Sequence, residues 1–475
     1  MVFNNLMKGT DKMNINKEML NGKKVLIVGL GITGISLARF LHEQNSLIII
    51  NDAQNEDNLG LRISQLKNIP YTGIFGKHPN NLEEAGNPEL IALSPGVPLD
   101  LPLIKDAISH KIPVLGEIEL AYHFIEAPIA AITGTNGKTT TTALLGDMVE
   151  RAGINNEVVG NIGTATVSKI KNLTKDSFCI MEISSFQLET IIDFKPKVAA
   201  VLNITADHLN RHKSMEKYAE LKFKIFSNQK SGDVAVINAD DSACQQYLEQ
   251  NQNPNHEVML FSSKKMLDKG IFIKDGKVIV KDDLRSAIII DRDKILIPGN
   301  HNLENAMAAV GLAWCMDVPL EAIRESLEEF KGVEHRIETV EVIDGVVFIN
   351  DSKATNPDAA EKAVLSVKEP IILLAGGMDK GNDFTELIKL FKNRVKQLIV
   401  YGETADKLAY ACAEEGFYHV TKTADLEQAF KIACQEADAG DTVLLSPACA
   451  SWDMYESYEV RGNHFKKLVK RLKRK

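Results

Sequence analysis

The chain has 475 residues, of which 44% are hydrophobic and 25% are charged, a composition typical of soluble globular proteins. The length predicts about two to four domains, and the formal net charge of −9 excludes nucleic-acid binding through bulk positive charge. No apolar run approaches the ~18 residues of a membrane span, and the N-terminus lacks the apolar region of a signal peptide. We therefore expect a cytoplasmic protein without membrane or nucleic-acid partners.

The first predicted unit begins with an apolar strand at residues 24–28 that runs into GLGITG at residues 29–34. A G-x-G-x-x-G turn between a strand and a helix predicts a site for a diphosphate or a nucleotide. A second strand ends at Asp52, where an acidic residue usually accepts a hydrogen bond from a ribose hydroxyl. The pattern fits NAD but names no ligand, and a purely structural Rossmann turn is the alternative. The turn at residues 94–96, SPG, is predicted at the ligand-binding edge of the same sheet.

A second unit begins at residues 128–142, PIAAITGTNGKTTTT. An apolar strand, a glycine turn and a helix follow one another here, and backbone N–H groups at such a helix N-terminus bind phosphate. Lys138 is predicted to reach the β- and γ-phosphates, and the Thr139 hydroxyl to hold Mg²⁺. The strict P-loop pattern has a glycine where Ile132 stands, so this is a shortened variant. The alternative is a glycine turn with a solvated Lys138.

Several polar residues follow predicted strands of the second unit. Glu182 interrupts an apolar strand, where a carboxylate is costly to bury unpaired, and Mg²⁺ beside a phosphate loop is an obvious partner. A salt bridge is the alternative. A glycine turn at residues 160–163 carries Asn161, and Asp207-His208 follows the next strand, which favours a functional histidine over a structural one.

Two helices of this unit carry further candidates. By its pattern alone, Lys222 is predicted to be an ordinary surface lysine of the helical stretch 214–226. Asn302 and Asn305 are three residues apart and share a helix face. Their amides could read an adenine edge, and simple N-capping is the alternative.

A third unit begins near residue 332 with a predicted hairpin at residues 340–349. Short strands then alternate with helical patterns, which predicts a mostly parallel sheet. Polar loops follow its strands at residues 350–357 (NDSKATNP) and 446–453 (SPACASWD). The predicted fold class is therefore α/β with three domains: N-terminal Rossmann-like, central P-loop ATPase-like and C-terminal Rossmann-like. The predicted limits are 1–18 for an N-terminal extension, then 19–117, 118–332 and 333–475 for the three domains.

The motifs, taken together and in order, resemble the Mur ligase family of peptidoglycan synthesis. They are GTNGKTT, the strand-end Glu182, DHLNRH, YAELK, GNHNLEN, EHRIE, NDSKATNP and SPACASWD, and they cover nearly the whole chain beyond residue 20. The N-terminal turn with SPG, the NDSKATN loop and SPACAS-x-D are similar to the branch that adds D-glutamate to UDP-N-acetylmuramoyl-L-alanine. The resemblance implies an ATP-dependent, amide-forming ligase of cell-wall biogenesis, needed for cell shape and division.

The resemblance also implies site residues. For the UDP substrate they are Gly31, Ile32, Thr33, Asp52, Ala53, Ser94, Gly96, Asn161 and His208. For ATP they are Gly134, Thr135, Asn136, Gly137, Lys138, Thr139, Thr140, Asn302, Asn305, Arg336 and Asp351. For D-glutamate they are Thr355, Lys380, Ser451, Trp452 and Tyr458.

The implied metal ligands are Thr139, Glu182, His208 and a Lys222 carbamylated by CO₂, and the implied catalytic residues are Lys138, His208, Lys222 and Lys353. The implied cofactors are ATP and Mg²⁺, and the expected state is a monomer. The resemblance leaves open whether His208 acts as a base or as a metal ligand.

The chemistry implied is activation of the L-alanine carboxylate by ATP as an acyl phosphate, which the amine of D-glutamate then attacks. Two rival functions remain. A folylpolyglutamate-synthase-like ligase would lack a UDP-binding first domain. A nucleotide-sensing regulator, with an NAD-type domain and an inert phosphate loop, would release no phosphate.

Overall fold

The computed structural model of the chain describes residues 15–161 and 164–473. The first fourteen residues of the predicted extension, and residues 162 and 163 of the predicted glycine turn, lie outside the described residues. Three sheets of five, nine and six strands follow one another along the chain. Within the described part of the chain, no helix has both the length and the apolar character needed to cross a lipid bilayer.

The N-terminal domain is built on a five-stranded, fully parallel sheet with strand order β3-β2-β1-β4-β5. Its strands are β1 (Lys24–Val28), β2 (Leu47–Asp52), β3 (Tyr71–Phe75), β4 (Leu90–Leu93) and β5 (Val114–Gly116). Its helices are α1 (Lys17–Leu20), α2 (Ile32–Glu43), α3 (Glu56–Ile63), α4 (Pro102–Ser109) and α5 (Glu117–Tyr122).

The tight turn between β1 and α2 depends on glycine. A Cβ added at Gly34 would lie 2.0 Å from the carbonyl oxygen of Gly29, so the helix can approach the strand this closely only without a side chain. Ile15 and Leu20 are buried in the same apolar cluster as β1. Ile15, within the predicted extension, therefore packs onto this domain, whereas Leu20 belongs to the predicted domain itself; the domain limits stay a prediction.

The central domain has a nine-stranded sheet with order β14-β13-β12-β11-β10-β9-β6-β8-β7. Its strands are β6 (Ile129–Thr133), β7 (Asn156–Gly160), β8 (Phe178–Glu182), β9 (Val198–Val201), β10 (Val234–Asn238), β11 (Glu257–Ser262), β12 (Gly270–Lys274), β13 (Lys277–Lys281) and β14 (Ser286–Asp291). Its helices are α6 (Lys138–Arg151), α7 (Ser185–Leu188), α8 (Leu209–His212), α9 (Met215–Phe223), α10 (Ser242–Gln250), α11 (Asn300–Cys315) and α12 (Leu320–Glu329).

The register of this sheet places the predicted polar residues together. Across the sheet from β7 to β12, including β6, neighbouring strands are parallel. The β12–β13 and β13–β14 pairings are antiparallel. Strand β6 lies between β8 and β9, with Ile132 opposite Glu182 and Thr133 opposite Val201. The phosphate loop after β6 is therefore flanked at one sheet edge by Glu182 and by the segment that follows β9.

The C-terminal domain has a six-stranded sheet with order β15-β16-β20-β17-β18-β19, in which the β15–β16 hairpin is antiparallel and the other pairings are parallel. Its strands are β15 (Glu338–Ile343), β16 (Val346–Asn350), β17 (Ile371–Gly376), β18 (Val395–Tyr401), β19 (Val420–Lys422) and β20 (Thr442–Leu445). Its helices are α13 (Pro357–Ser366), α14 (Thr385–Lys389), α15 (Phe391–Arg394), α16 (Ala405–Glu414), α17 (Leu426–Glu436) and α18 (Tyr458–Leu472). The predicted α/β fold with three domains is confirmed.

Candidate active site

The phosphate loop of the central domain is shaped by a glycine and by asparagines from other segments. Gly137 has φ 86°, and a Cβ there would lie 2.1 Å from the Asn305 side-chain oxygen, so only glycine fits. The backbone N–H of Asn136 donates to the Asn203 side-chain oxygen at 2.9 Å. Helix α6 begins directly after the turn, at Lys138. The loop therefore has the strand, glycine turn and helix N-terminus that its sequence predicts, and backbone N–H groups in such a layout can bind an anion.

Two lysines converge on one carbonyl of this loop. Lys138 Nζ donates to the carbonyl oxygens of Gly134 at 2.9 Å and Thr135 at 2.7 Å, and Lys222 Nζ donates to Gly134 O at 2.8 Å. Burial lowers the pKa of both lysines, and for Lys222 the nearby charge of Lys138 lowers it further. Lys222 is only 1% exposed. The surface position that its sequence pattern predicts is therefore wrong, because α9 packs this face against the phosphate loop.

Glu182 is buried at the end of β8. Asn161 donates to its Oε1 at 2.9 Å, whereas its Oε2 has no hydrogen-bond partner among the residues that the structure describes. Burial raises the pKa of this carboxyl group, but the positive charges of Lys353 and Lys138 outweigh burial and lower it. The carboxylate is therefore ionised, with one oxygen still able to accept a cation or a donor.

Asp207 and His208 follow β9 at the same edge. His208 has φ 52°, its Nε2 lies 3.6 Å from an Asp207 carboxylate oxygen, and its ring packs edge-on against Phe186 at 4.9 Å between centroids. Burial lowers the pKa of His208 to about 4, although Asp207 opposes this effect. The imidazole is therefore neutral near pH 7, which is the protonation state that a general base or a metal ligand requires.

A cleft of about 460 Å³ lies between the central and C-terminal domains beside the phosphate loop. Its lining comprises Asn136, Gly137, Asn203, His301, Glu304, Asn305, Arg336, Ile337, Asp351, Ala359 and Lys362. The Arg336 Nε atom is buried and has no hydrogen-bond partner within the described residues. Asn305 donates to the side-chain oxygen of Asn302 at 3.1 Å, and α11 begins at Asn300. Neither asparagine is therefore the N-cap that was the alternative prediction.

Burial and nearby charges shift the pKa values of two residues that line this cleft. Burial raises the pKa of Asp351 to about 7, and the nearby Arg336 opposes that rise. Burial lowers the pKa of His301 to about 3, and the charges of Arg336 and Lys362 add to the effect. The cleft thus has a cationic wall, which suits an anionic ligand.

Sequence reasoning missed His301, Glu304 and Lys362 as lining residues. His301 and Glu304 stand inside GNHNLEN, so the motif itself was a signal for them. Lys362 lies on α13 of the other domain, in a stretch without any motif. Its position depends on how the two domains meet, which local pattern does not encode.

The predicted uridine residues lie at the carboxyl edge of the N-terminal sheet. Asp52 accepts from the backbone N–H of Leu30 at 2.8 Å and of Gln54 at 2.9 Å, so both oxygens hold loops in place. Ile32 and Ala53 are exposed, and Gly31 and Thr33 are half-buried beside them. The structure therefore brings these five residues to one open surface.

A narrow crevice separates the SPG turn from the central domain, lined in part by Ser94, Gly96, Glu117, Gln187 and Thr190. The Ser94 hydroxyl donates to Gly29 O at 2.7 Å, and Arg211 of the central domain donates to Val97 O at 3.1 Å. Burial raises the pKa of Glu117 to about 7, although its Oε1 accepts from the Val167 N–H at 2.8 Å. This buried acid links the two domains.

The predicted D-glutamate residues surround the carboxyl edge of the C-terminal sheet. Lys353 Nζ donates to the Tyr458 hydroxyl at 3.1 Å, and burial lowers the pKa of Lys353 to about 8. Lys380 Nζ lies 6.0 Å from the ring centre of Trp452, which is 65% exposed. The two remaining residues differ in burial, Thr355 being half-buried and Ser451 buried.

One buried arginine connects the loops of this edge. Arg461 of α18 is fully buried, and its guanidinium donates to the Ser352 hydroxyl at 3.0 Å and to the Ser352 and Cys449 carbonyl oxygens at 2.9 and 3.1 Å. A guanidinium with five donors can satisfy several carbonyls at once. Arg461 therefore ties the loop after β16 to the loop after β20.

Comparison with known proteins gives matches along nearly the whole chain. The sequence models of three families match: the Mur ligase MurD-like N-terminal domain at residues 23–116, the Mur ligase middle domain at residues 132–313, and the Mur ligase glutamate ligase domain at residues 335–449. The chain is 49% identical over 456 residues to the UDP-N-acetylmuramoylalanine–D-glutamate ligase of Alkaliphilus oremlandii, covering 96% of this chain and 100% of that protein. It is 46% identical over 455 residues to the protein of that name from Alkaliphilus metalliredigens, covering 96% and 99%.

Solved structures share the fold at lower identity. The UDP-N-acetylmuramate-alanine ligase MurC from Thermotoga maritima has a TM-score of 0.59 at 18% identity, covering 94% of this chain and 99% of that one. MurF ligase from Thermotoga maritima, solved in complex with ADP, has a TM-score of 0.55 at 18% identity, covering 82% and 92%. These structures support the fold, and the sequence matches extend over all three domains. The chain belongs to the Mur ligase family.

Proposed function

We propose that this chain is an ATP-dependent ligase that joins D-glutamate to UDP-N-acetylmuramoyl-L-alanine in peptidoglycan synthesis. The observation that carries the proposal is the convergence of Lys138, Lys222, Lys353 and Glu182 around the phosphate loop, where the central and C-terminal domains meet. Relatives that this chain matches over nearly their whole length bear the name of this ligase. A structural neighbour solved with ADP supports the use of ATP.

The reaction explains why so many cations are buried at one edge. An oxygen of the L-alanine carboxylate attacks the γ-phosphorus of ATP, ADP leaves, and an acyl phosphate results. The amine nitrogen of D-glutamate then attacks the acyl carbon, and the tetrahedral intermediate expels inorganic phosphate. Phosphoryl transfer needs positioning and charge neutralisation more than covalent help. Lys138, Lys353 and Arg336 are the residues proposed to neutralise the transferred phosphoryl group.

We infer that Mg²⁺ would be held by Glu182, the Thr139 hydroxyl, His208 and Lys222. The fit rests on the buried Oε2 of Glu182, a charged oxygen without a partner among the described residues. Carboxylate oxygens are ligands that Mg²⁺ prefers. When bound, the ion would neutralise phosphate oxygens during transfer.

Lys222 would serve this site as a carbamate. A free ammonium cannot bind a cation, whereas addition of the neutral amine to CO₂, with loss of a proton, gives an anionic oxygen ligand. Burial and the charge of Lys138 lower the pKa of Lys222 and so favour the neutral amine that the reaction requires. The carbamate keeps one N–H, which can still donate to Gly134 O, the acceptor 2.8 Å from Nζ.

The remaining assignments follow the cleft beside α11 and the carboxyl edges of the N-terminal and C-terminal sheets. The cleft beside α11 would take the adenosine and its phosphates, held by Asn302, Asn305, Arg336 and Asp351 together with the phosphate loop. The edge of the N-terminal sheet would take the uridine diphosphate, and the edge of the C-terminal sheet would take D-glutamate near Lys380 and Tyr458. The domain limits proposed for these roles are 19–117, 118–332 and 333–475.

The experiment is a phosphate-release assay with a panel of acceptors and amino acids. We expect release only when ATP, UDP-N-acetylmuramoyl-L-alanine and D-glutamate are all present. Equal turnover with L-glutamate, or a preference for a diamino acid, would contradict the choice of substrate. A chain that releases phosphate but fails to bind the UDP-sugar would favour the folylpolyglutamate-synthase-like alternative. A chain that binds nucleotide and releases no phosphate would favour a regulator.

A further inference from the structure

Helix α13 of the C-terminal domain faces the nucleotide cleft with a polar stripe. Asp358, Lys362 and Ser366 are spaced four residues apart, so they lie on one face of the helix. Asp358 contacts the phosphate loop, Lys362 lines the cleft, and the Ser366 hydroxyl lies 3.3 Å from His301 Nδ1. The stripe therefore runs from the phosphate loop to the first turn of α11.

One oxygen of Asp358 collects the contacts at the loop end of this stripe. Its Oδ2 accepts from the Asn136 side-chain amide, from the Thr205 hydroxyl at 3.1 Å and from Lys362 Nζ at 3.0 Å. Asn136 belongs to the phosphate loop, and Thr205 belongs to the segment after β9. The carboxylate of one domain thus joins two segments of another domain.

The two segments are already fixed to each other by the central domain. The Thr205 N–H donates to the Thr135 hydroxyl at 3.0 Å, and the Asn203 amide donates to Asn136 O at 3.1 Å. Asp358 adds two hydrogen bonds from the C-terminal domain, to Asn136 and Thr205, so its loss would release the Asn136 side chain while the bonds within the central domain remain. Such contacts across the domain boundary stabilise the docked arrangement of the two domains.

A carboxylate beside a phosphate site needs a compensating charge, because like charges at short range repel. Lys362 lies one helical turn further along, pairs with Asp358 and also lines the cleft. The net charge of the Asp358–Lys362 pair beside the nucleotide is therefore close to zero. Asp358 can act as an acceptor there without repelling phosphate.

We propose that Asp358 is a positioning residue that couples nucleotide binding to the docking of the C-terminal domain on the phosphate loop. This inference rests on the proposed function, because it takes the phosphate loop as the ATP site. Coupling is reciprocal: docking through Asp358 slows nucleotide release, and bound nucleotide favours docking by the same factor.

The test compares four variants: Asp358→Ala, Asp358→Asn, Thr205→Val and, as a control on the same helix, Glu361→Gln. The KM for ATP is measured by phosphate release, and the dissociation rate of a fluorescent ATP analogue by stopped flow. We expect Asp358→Ala to raise both about tenfold, because it removes the acceptor that Asn136 and Thr205 share at the domain boundary. Asp358→Asn keeps an acceptor oxygen, so both values should stay within about threefold of wild type.

Thr205→Val removes one donor from the other side of the contact and tests the coupling if Asp358→Ala fails to fold. We expect an increase in release rate of about threefold, and no further increase when it is combined with Asp358→Ala, because both changes remove the same contact. Equal release rates for Asp358→Ala and Glu361→Gln would overturn the proposal. If wild type releases no phosphate with any amino acid while Asp358→Ala still speeds analogue release, the proposed function fails and the coupling stands.

Discussion

The glycine turn at residues 29–34 and the phosphate loop at residues 134–139 have the same order of strand, glycine turn and helix, but they differ in charge. At the first, Asp52 is half-buried, and its carboxylate accepts from backbone N–H groups. At the second, Lys138, Lys222 and Glu182 lie close together, Lys222 and Glu182 being almost fully buried. Buried charges are costly. The same backbone layout therefore occurs with few or with many buried charges around it, and the buried charges distinguish the proposed catalytic loop from the first turn.

Substitution of Lys138 in the phosphate loop should have a stronger effect on turnover than the other changes below. Lys138→Ala should lose ATP turnover while folding normally, because the removed ammonium acts on charge that develops in a site shielded from water. Loss of such a group lowers the rate by roughly 10²–10⁴. The measurement is phosphate release at saturating substrates, with thermal unfolding as the check on folding. A variant that keeps most of its activity would contradict a role of the Lys138 ammonium in ATP turnover.

Substitutions at Lys222 distinguish a buried, unmodified lysine from a carbamylated one. Lys222→Ala should fold, lose about 100-fold or more in rate, and recover part of it when formate or acetate is added. Lys222→Arg should remain inactive, because a guanidinium stays positively charged. Lys217→Ala, at an exposed position of the same helix, is the matched control and should turn over normally. An active Lys222→Arg would show that positive charge, and not a carbamate, is what the site uses.

Asp52 lies beside the first glycine turn, where we expect a substitution to weaken binding of the UDP substrate and to leave the rate of the chemical step unchanged. Asp52→Ala should raise the KM for the UDP substrate about tenfold and the KM for ATP much less, because its carboxylate holds the backbone of Leu30 and Gln54 beside the proposed uridine site. Steady-state kinetics with each substrate varied in turn gives both values. Tight binding of NADH in a fluorescence titration would mean that this turn serves a different ligand.

The smallest expected effect lies at Glu117, the buried acid between the two regions. Burial raises its pKa from 4.5 to about 7, so its contribution to stability is full below its ordinary pKa and is lost as the pH rises through about 7. Glu117→Gln cannot ionise. Its melting temperature relative to wild type should therefore rise by about 2–5 °C between about pH 5.5 and pH 8. A difference that stays constant with pH would mean that the buried group does not titrate in this range.

Most of the fold could be predicted because local pattern carries it. Apolar runs such as residues 129–132 and 371–375 correspond to buried parallel strands, and the glycine turns mark where helices begin. The hairpin near Asp344 and Gly345 also lies where its turn signal predicts it. These features depend on neighbours in sequence, so one sequence suffices to find them.

The candidate site was predictable only in part. Lys222 has the spacing of a surface residue, yet α9 packs it under the phosphate loop. Asp358 contacts the loop across a domain boundary, Lys362 lines the cleft from the same domain, and His301 gains its partner Ser366 in the same way. Such contacts depend on how whole domains meet, and no periodicity in a single stretch of sequence records that arrangement.

Arg461 has a consequence for the order in which the protein becomes functional during synthesis. Domains fold as the chain emerges, the N-terminal ones first. The loops after β16 and β20 are held by a guanidinium on the final helix, so this edge cannot assemble until almost the last residues have left the ribosome. A nascent chain should therefore complete its phosphate loop well before the carboxyl edge of its C-terminal sheet has its final geometry. Tags that extend the chain beyond α18 are therefore safer than truncations that reach into it.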